Sequence, residues 1–330
     1  MFKYLYVCTS SQDDLFLEQT FASIVSLRQK MPEAFVSLLM DRCTERTLVD
    51  GRERIKDLVN ELVVQNLDEG LSGKVRSRIL KTLMRNCVDG DFLYIDSDTV
   101  VLEDLSEMEN ATFDLAGVQD GHTALSKSML LRKKMHRKEM SNLNSDEAFL
   151  NNETYINSGV LFVRDIPENR EFFRLWNEYY LKFLKKENIS QDQPTLALVN
   201  YLKGFPIYEL NGRWNCQLCY GASFFRKAKI LHFFSSMNIP APVQKIYGQV
   251  KEFQFDSRAK EHVREHLEKS SFDFGCSVIA KGREYDLMKT ASYRLLLWIF
   301  SSLPKAFAVL EKFASLGRGR GLYLKMKKGA

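Results

Sequence analysis

Two carboxylates one residue apart, Asp96 and Asp98, follow the apolar run FLYI with Ser97 between them. Along an extended chain, residues two apart point to the same side. Like charges held together in this way are costly unless a cation lies between them, and a hard divalent ion with oxygen ligands is the usual solution. A diphosphate can supply the remaining oxygens, and the ion then screens charge on that group as a bond to it breaks. Asp-x-Asp alone is common by chance, so the buried strand pattern before it gives this pair its specificity.

Other chemistry-bearing residues lie far away in the chain. His232 interrupts the apolar run ILHFF, where a lone imidazole is more often a core residue than a ligand. Asp192 and Gln193 stand together in SQDQP, which also reads as a helix entry with Pro194 in its first turn. Arg78, on a charged helix pattern, could simply face solvent. Cys216 and Cys219, with His262 and His266, have the spacing of a zinc set but read better as two unrelated pairs.

The elements that must position these groups alternate. Residues 3–8 read as a strand, 12–29 as an amphipathic helix and 34–40 as a strand, with a helical stretch running to Val59. ELVVQNL, a helix over 72–87 and the strand DFLYID follow. This alternation predicts a parallel, doubly wound sheet whose ligands gather at the carboxyl ends of strands, where Asp96 lies. A strand ending at Asp120 leads into a polar, charge-dense segment, 121–153, read as a helix and loop that is either a solvated excursion or an acceptor-side lid. YINSGVLFV resumes the sheet, helices cover 168–186 and 191–202, and AKILHFF is a late strand.

Composition narrows the class. A chain of 330 residues, 45% hydrophobic, with 17 Gly and 7 Pro, buries a large core and is not linker-rich. Residues 281–330 hold eleven Lys/Arg against three acids, a net +8, so the +5 of the whole chain leaves the remaining body at −3. A mildly acidic body with a basic end disfavours nucleic acid as a partner and suggests an anionic surface met at that end. The opening FKYLYVCTS lacks a secretory signal pattern, and the six cysteines lie mostly in apolar or strand-like segments, so a reducing cytoplasm is expected.

Taken in order, VCTSS, VRSRILK, DSD, AGVQD, YINSGVLF, SQDQP, RWNCQ and ILHFF resemble the motifs of family 8 glycosyltransferases, the family of bacterial lipopolysaccharide galactosyl- and glucosyltransferases and the glycogenins. The resemblance covers residues 3–234. It implies an α/β GT-A fold, a mostly parallel Rossmann-like sheet with helices on both faces, here with a C-terminal helical extension. It implies a catalytic domain over 1–240 and a helical region over 241–330. It also implies a UDP-sugar donor, Mn²⁺ (or Mg²⁺), and retention of anomeric configuration.

Carried over by position, the resemblance places Cys8, Thr9 and Ser10 near the nucleoside and Arg78 on the diphosphate and donor sugar. Asp96, Ser97 and Asp98 line the donor, with Asp96, Asp98 and His232 as the metal shell. Asp120 and Asn157 would contact the transferred sugar, and Asp192 and Gln193 its reacting face. The family often follows its histidine with Gly and Lys, whereas HFFSSMNIPAP has no lysine there, so Ser235, Ser236, Lys245 or the tail is expected to serve instead.

The implied activity is transfer of a hexose to a glycan or glycolipid in cell-surface synthesis such as that of lipopolysaccharide. Its chemistry is either front-face, with the leaving phosphate taking the acceptor proton, or double displacement. Two alternatives remain: a non-catalytic sugar-binding descendant, and a haloacid-dehalogenase-like phosphatase whose Asp-x-Asp loop would normally follow the first strand. The stretch from Tyr293 to Ala330, apolar and then basic, is too short in its apolar part to span a bilayer and suggests amphipathic contact with the inner face of the plasma membrane.

Overall fold

The computed structural model describes residues 1–14, 16–127, 130–143, 146–187, 190–217, 224, 227–232, 292, 295–296, 299 and 302–319. The chain divides into two units, Met1–Phe274 and Gly275–Ala330. Both this boundary and the expected one at 240/241 lie outside the described residues, as do Cys219, Ser235, Ser236, Lys245, His262 and His266.

The first unit opens with β1 (Lys3–Cys8), α1 (Phe16–Lys30), β2 (Val36–Asp41), α2 (Arg42–Glu45), β3 (Glu61–Gln65), α3 (Gly73–Cys87) and β4 (Phe92–Ile95). Then come β5 (Thr99–Val101), β6 (Leu115–Gln119), α4 (Leu130–Leu143), α5 (Glu147–Leu150), β7 (Ile156–Val163), α6 (Pro167–Glu187) and α7 (Gln193–Leu202). The short strands β8 (Tyr208–Leu210), β9 (Cys216–Gln217) and β10 (Ile230–His232) complete it. In the main sheet the order is β3-β2-β1-β4-β7-β6-β8.

β1, β2, β3 and β4 pair in parallel, as do β6 and β8, while β7 runs against both β4 and β6. The sheet is therefore mostly parallel, with β7 the reversed strand. A parallel return would need a crossover to the opposite edge. Segment 121–153 does not provide one, because it folds at the edge where β6 ends. Its Leu125, Met140, Leu143 and Phe149 form a small core with Tyr155, Phe183, Ala197 and Leu198, so the segment is packed structure and not a solvated excursion.

Three further differences from the sequence reading have local causes. α1 begins at Phe16 and not at residue 12, because the Asp14 carboxylate accepts hydrogen bonds from the backbone N–H groups of Ser11 and Phe16, at 2.7 and 3.1 Å. Such side-chain bonds compete with helix at a helix start. The stretch to Val59 is one turn of helix capped by Asp41, then a 3₁₀ segment over Asp50–Leu58. β5, β8 and β9 have two or three residues each, too few to show a period.

The core around the main sheet includes Leu5, Val7, Leu39, Leu80, Tyr94, Leu161 and Trp176. A second sheet, β5-β10-β9, sets His232 opposite Thr99 in antiparallel register. In the second unit α8 (Pro304–Gly319) exposes Val309, Leu310 and Phe313. No helix among the described residues is long and apolar enough to cross a membrane.

Candidate metal and donor site

Asp96 leaves the end of β4 and Asp98 stands immediately before β5. The Asp96 backbone N–H donates to the Gly159 carbonyl at 2.8 Å, which ties the loop to β7. His232 arrives on β10, 3% exposed, with Nε2 at 3.1 Å from Asp98 Oδ1 and 3.8 Å from Asp96 Oδ2. One ligand atom from each of these three residues lies within 4.8 Å of the others.

The orientation of the imidazole follows from its neighbours. Asn215 gives its amide N–H to Asn157 Oδ1 at 2.8 Å, so its carbonyl oxygen faces His232 Nδ1 at 2.9 Å. Nδ1 then carries the hydrogen and donates it, which leaves Nε2 as the ring nitrogen that faces the two carboxylates. With Nε2 unprotonated, the three groups would offer lone pairs to one point, a donor set that fits a divalent cation.

Gly159 makes room for this arrangement. A Cβ there would lie 2.2 Å from His232 Cε1 and 2.9 Å from Asn157 Oδ1, closer than side-chain carbons approach. The glycine is needed for close approach and not for turning.

Two cations from one face of α3 stand beside the pair. Lys81, 3% exposed, places Nζ at 3.1 Å from both Asp96 oxygens and 3.8 Å from Asp192 Oδ2. Arg78 Nε forms an ion pair with Asp192 Oδ1 at 2.8 Å. Tyr94 also donates its hydroxyl to Asp96 Oδ1.

Asp192 occupies the cap position of α7, but its side chain makes no capping bond and accepts instead from Ser158 Oγ at 2.8 Å. Its backbone carbonyl is held by Trp176 Nε1 at 3.1 Å and Thr195 Oγ1 at 2.7 Å. Burial by itself would raise the Asp192 pKa, but Lys81, Arg78 and Ser158 outweigh it and hold the carboxyl below the usual range. The helix-entry reading holds in position, with Asp192 at the N-cap and Pro194 in the first turn, while the carboxylate faces Arg78, Lys81 and Ser158.

Asp120 and Asn157 also come together, and Asn157 Nδ2 donates to Asp120 Oδ1 at 2.9 Å and to Gln193 Oε1 at 3.4 Å. Asp120 is 2% exposed, and His136 Nε2 from α4 reaches its Oδ2 at 3.1 Å. At the end of β1, Thr9 Oγ1 donates to the Gly73 carbonyl at 3.0 Å, and Ser10 accepts from Arg52 Nη2 at 2.9 Å. The Cys8 thiol is buried, its pKa pushed up to about 12 chiefly by desolvation, so this residue lines the edge through its backbone. Ser97 Oγ bridges Thr20 and the Val7 carbonyl, linking the β1 end to the Asp96–Asp98 loop.

Sequence reasoning missed Lys81, Ser158 and the orienting role of Asn215. Lys81 left a signal: it stands three residues after Arg78, among the buried Ile79, Leu80, Thr82 and Met84 of α3. A lysine within an apolar stripe needs an acidic partner.

Residues 80–238 match the sequence model of glycosyl transferase family 8. No curated protein matches the chain. Among solved structures, an active-site mutant of LgtC shares 13% identity at a TM-score of 0.51, covering 82% of this chain and 96% of that one. The bifunctional glycosyltransferase WbbM shares 15% at 0.50, covering 80% of this chain and 51% of WbbM. At these identities the structural likeness is one of fold, and the family match adds the chemistry class. Residues 80–238 are thus similar to family 8 glycosyltransferases, and the main sheet has the GT-A fold of the solved structure of LgtC.

Proposed function

We propose that this protein is a retaining glycosyltransferase that moves a hexose from a UDP-sugar to a glycan or glycolipid acceptor in cell-surface polysaccharide synthesis. The observation that carries the reading is the convergence of Asp96, Asp98 and His232 beside the Asp192–Gln193 step. These three side chains would hold Mn²⁺ or Mg²⁺, which supplies charge compensation for the departing diphosphate. The chain's own groups do the rest.

Thr9, Ser10 and Ser97 form the edge for the nucleoside, and Arg78 brings a positive charge toward the diphosphate. Asp120 and Asn157 orient Gln193, whose carbonyl oxygen faces the transferred sugar at its anomeric centre. Both Asp192 oxygens are already engaged, by Arg78 on one and by Ser158 and Lys81 on the other. These contacts lower the basicity of the carboxylate, and a weaker base is a weaker nucleophile, so this favours Asp192 as a fixed negative charge near the developing oxocarbenium ion over a covalent role. The front-face route, with the leaving phosphate accepting the acceptor proton, is the one this supports.

A panel of UDP-, GDP- and CDP-sugars with Mn²⁺ tests donor and metal together. UDP-sugars are expected to raise the melting temperature, since ligand at ~100 times its Kd adds about 2.7 kcal/mol, and to be consumed slowly by hydrolysis. Gln193→Ala should keep the thermal shift and lose turnover. Tight UDP binding with no turnover on any acceptor would instead favour the binding descendant, and no response to any donor would sink both.

The exposed apolar residues of α8 and the basic end beyond it support a place on the inner face of the plasma membrane. The full chain is expected to float with anionic vesicles and a chain ending at Lys281 to stay behind; equal flotation removes this part of the reading.

A further inference from the structure

Lys81 has an unusual position for a charged residue near a cation site. Its ammonium is buried, lies 5.2 Å from the Tyr94 ring centroid and is 3.1 Å from both oxygens of Asp96, a residue of the candidate cation shell. It also reaches toward Asp192 at 3.8 Å, so one side chain spans the cation shell and the reacting-face carboxylate. This arrangement joins α3, the end of β4 and the start of α7.

The charges of the groups assembled here can be balanced. Asp96, Asp98 and Asp192 bring three negative charges, Lys81 and Arg78 two positive, and the His232 imidazole in the Nδ1–H form none. A free divalent cation therefore meets a shell with a net charge of −1 across these six groups, and one of its carboxylates is already shared with an ammonium. Coulomb repulsion between Lys81 and the incoming ion is weakly screened because Lys81 is buried. A diphosphate reverses the balance: it brings several negative charges, which attract the ion and complement both Lys81 and Arg78.

We propose that Lys81 is a positioning residue that makes cation capture conditional on the nucleotide diphosphate, so that ion and UDP bind as a coupled pair and the empty site has little hold on free metal. This rests on the cation and UDP reading given above and names the group that couples the two. Lys81 acts through Asp96 and is not assigned contact with the sugar. The inference has an uncommon sign: removing a positive charge beside a carboxylate should tighten binding of free metal, whereas loss of a merely structural lysine would weaken it or leave it unchanged.

The test measures Mn²⁺ binding to the full chain by the paramagnetic resonance signal of free Mn²⁺, with and without UDP, and UDP binding by calorimetry with and without Mn²⁺. By linkage the two measurements must report one coupling factor. In the wild-type chain UDP is expected to tighten Mn²⁺ binding by roughly tenfold to a hundredfold. Lys81→Met and Lys81→Gln should each bind free Mn²⁺ about tenfold more tightly than wild type, and the tightening by UDP should shrink to the part that comes from direct attraction between ion and diphosphate. Lys81→Arg, which keeps the charge, should behave as wild type.

The two neutral variants differ in polarity, so one remains informative if melting curves show that the other is unfolded. Neutral variants that bind free Mn²⁺ no more tightly than wild type overturn the inference, as does a wild-type chain whose Mn²⁺ affinity ignores UDP. A wild-type chain that takes up no Mn²⁺ even with UDP present brings down the cation reading itself, and this inference with it.

Discussion

Asp98→Asn is expected to abolish cation-dependent transfer while leaving the protein folded. The carboxamide has the shape of the carboxylate, and Asp98 lies in a loop of partly exposed residues before β5. What is lost is charge at 3.1 Å from His232 Nε2, on one of the two carboxylates that face this nitrogen. If the ion contributes several kcal/mol to leaving-group stabilisation, turnover should fall by about three orders of magnitude. Melting temperature without metal should hold or rise, because two neighbouring like charges become one. Donor hydrolysis with a Mn²⁺ titration reads the first effect and thermal melting the second. Turnover within tenfold of wild type would mean that these carboxylates are not the metal shell.

Gly159→Ala should do nearly as much damage by shape alone. The added methyl would lie 2.2 Å from His232 Cε1 and 2.8 Å from Nδ1, on a strand buried along its whole length. The ring has little room to retreat, because Asn215 holds Nδ1 and β5 and β9 flank β10. Overpacking of this kind costs about 1–3 kcal/mol of stability, and displacement of a ligand ring by even part of an ångström should cost at least tenfold in Mn²⁺ affinity. The two measurements are separable, since calorimetry with Mn²⁺ and UDP at low temperature reads affinity in protein that is still folded. Full affinity in this variant would show that His232 does not ligate from the position described.

Much of the site could be read from the chain because its chemistry is local. Asp96 and Asp98 are one residue apart behind an apolar strand, and any strand ending there would present both. The order of strand and helix from Lys3 to Ile95 follows from hydrophobic period, which is a local property. The placement of the pair after β4 also removes the phosphatase alternative, whose loop follows the first strand.

Other features were invisible for equally physical reasons. The reversal of β7 depends on where segment 121–153 packs, and its anchors, Tyr155, Phe183 and Ala197, are spread along the chain. Asp192 had the spelling of a helix cap, and only the approach of Ser158, Arg78 and Lys81 from three other stretches turned its carboxylate elsewhere. Asp120 is expected to contact the transferred sugar, and the partners that hold its carboxylate, Asn157 and His136, come from other stretches that no local spacing announces.

The amino-acid order alone determined the class of fold, the carboxylate pair and the residue types available for a cation, because periodicity and short spacings are set by backbone geometry. Motif order also pointed to His232, and tertiary structure decided which of its nitrogens faces those carboxylates. It also decided that a buried lysine shares one of them. These are properties of side chains 15 to 136 positions apart in sequence, and long-range packing of β10 on β5 and of α3 under β4 is what brings them within bonding distance.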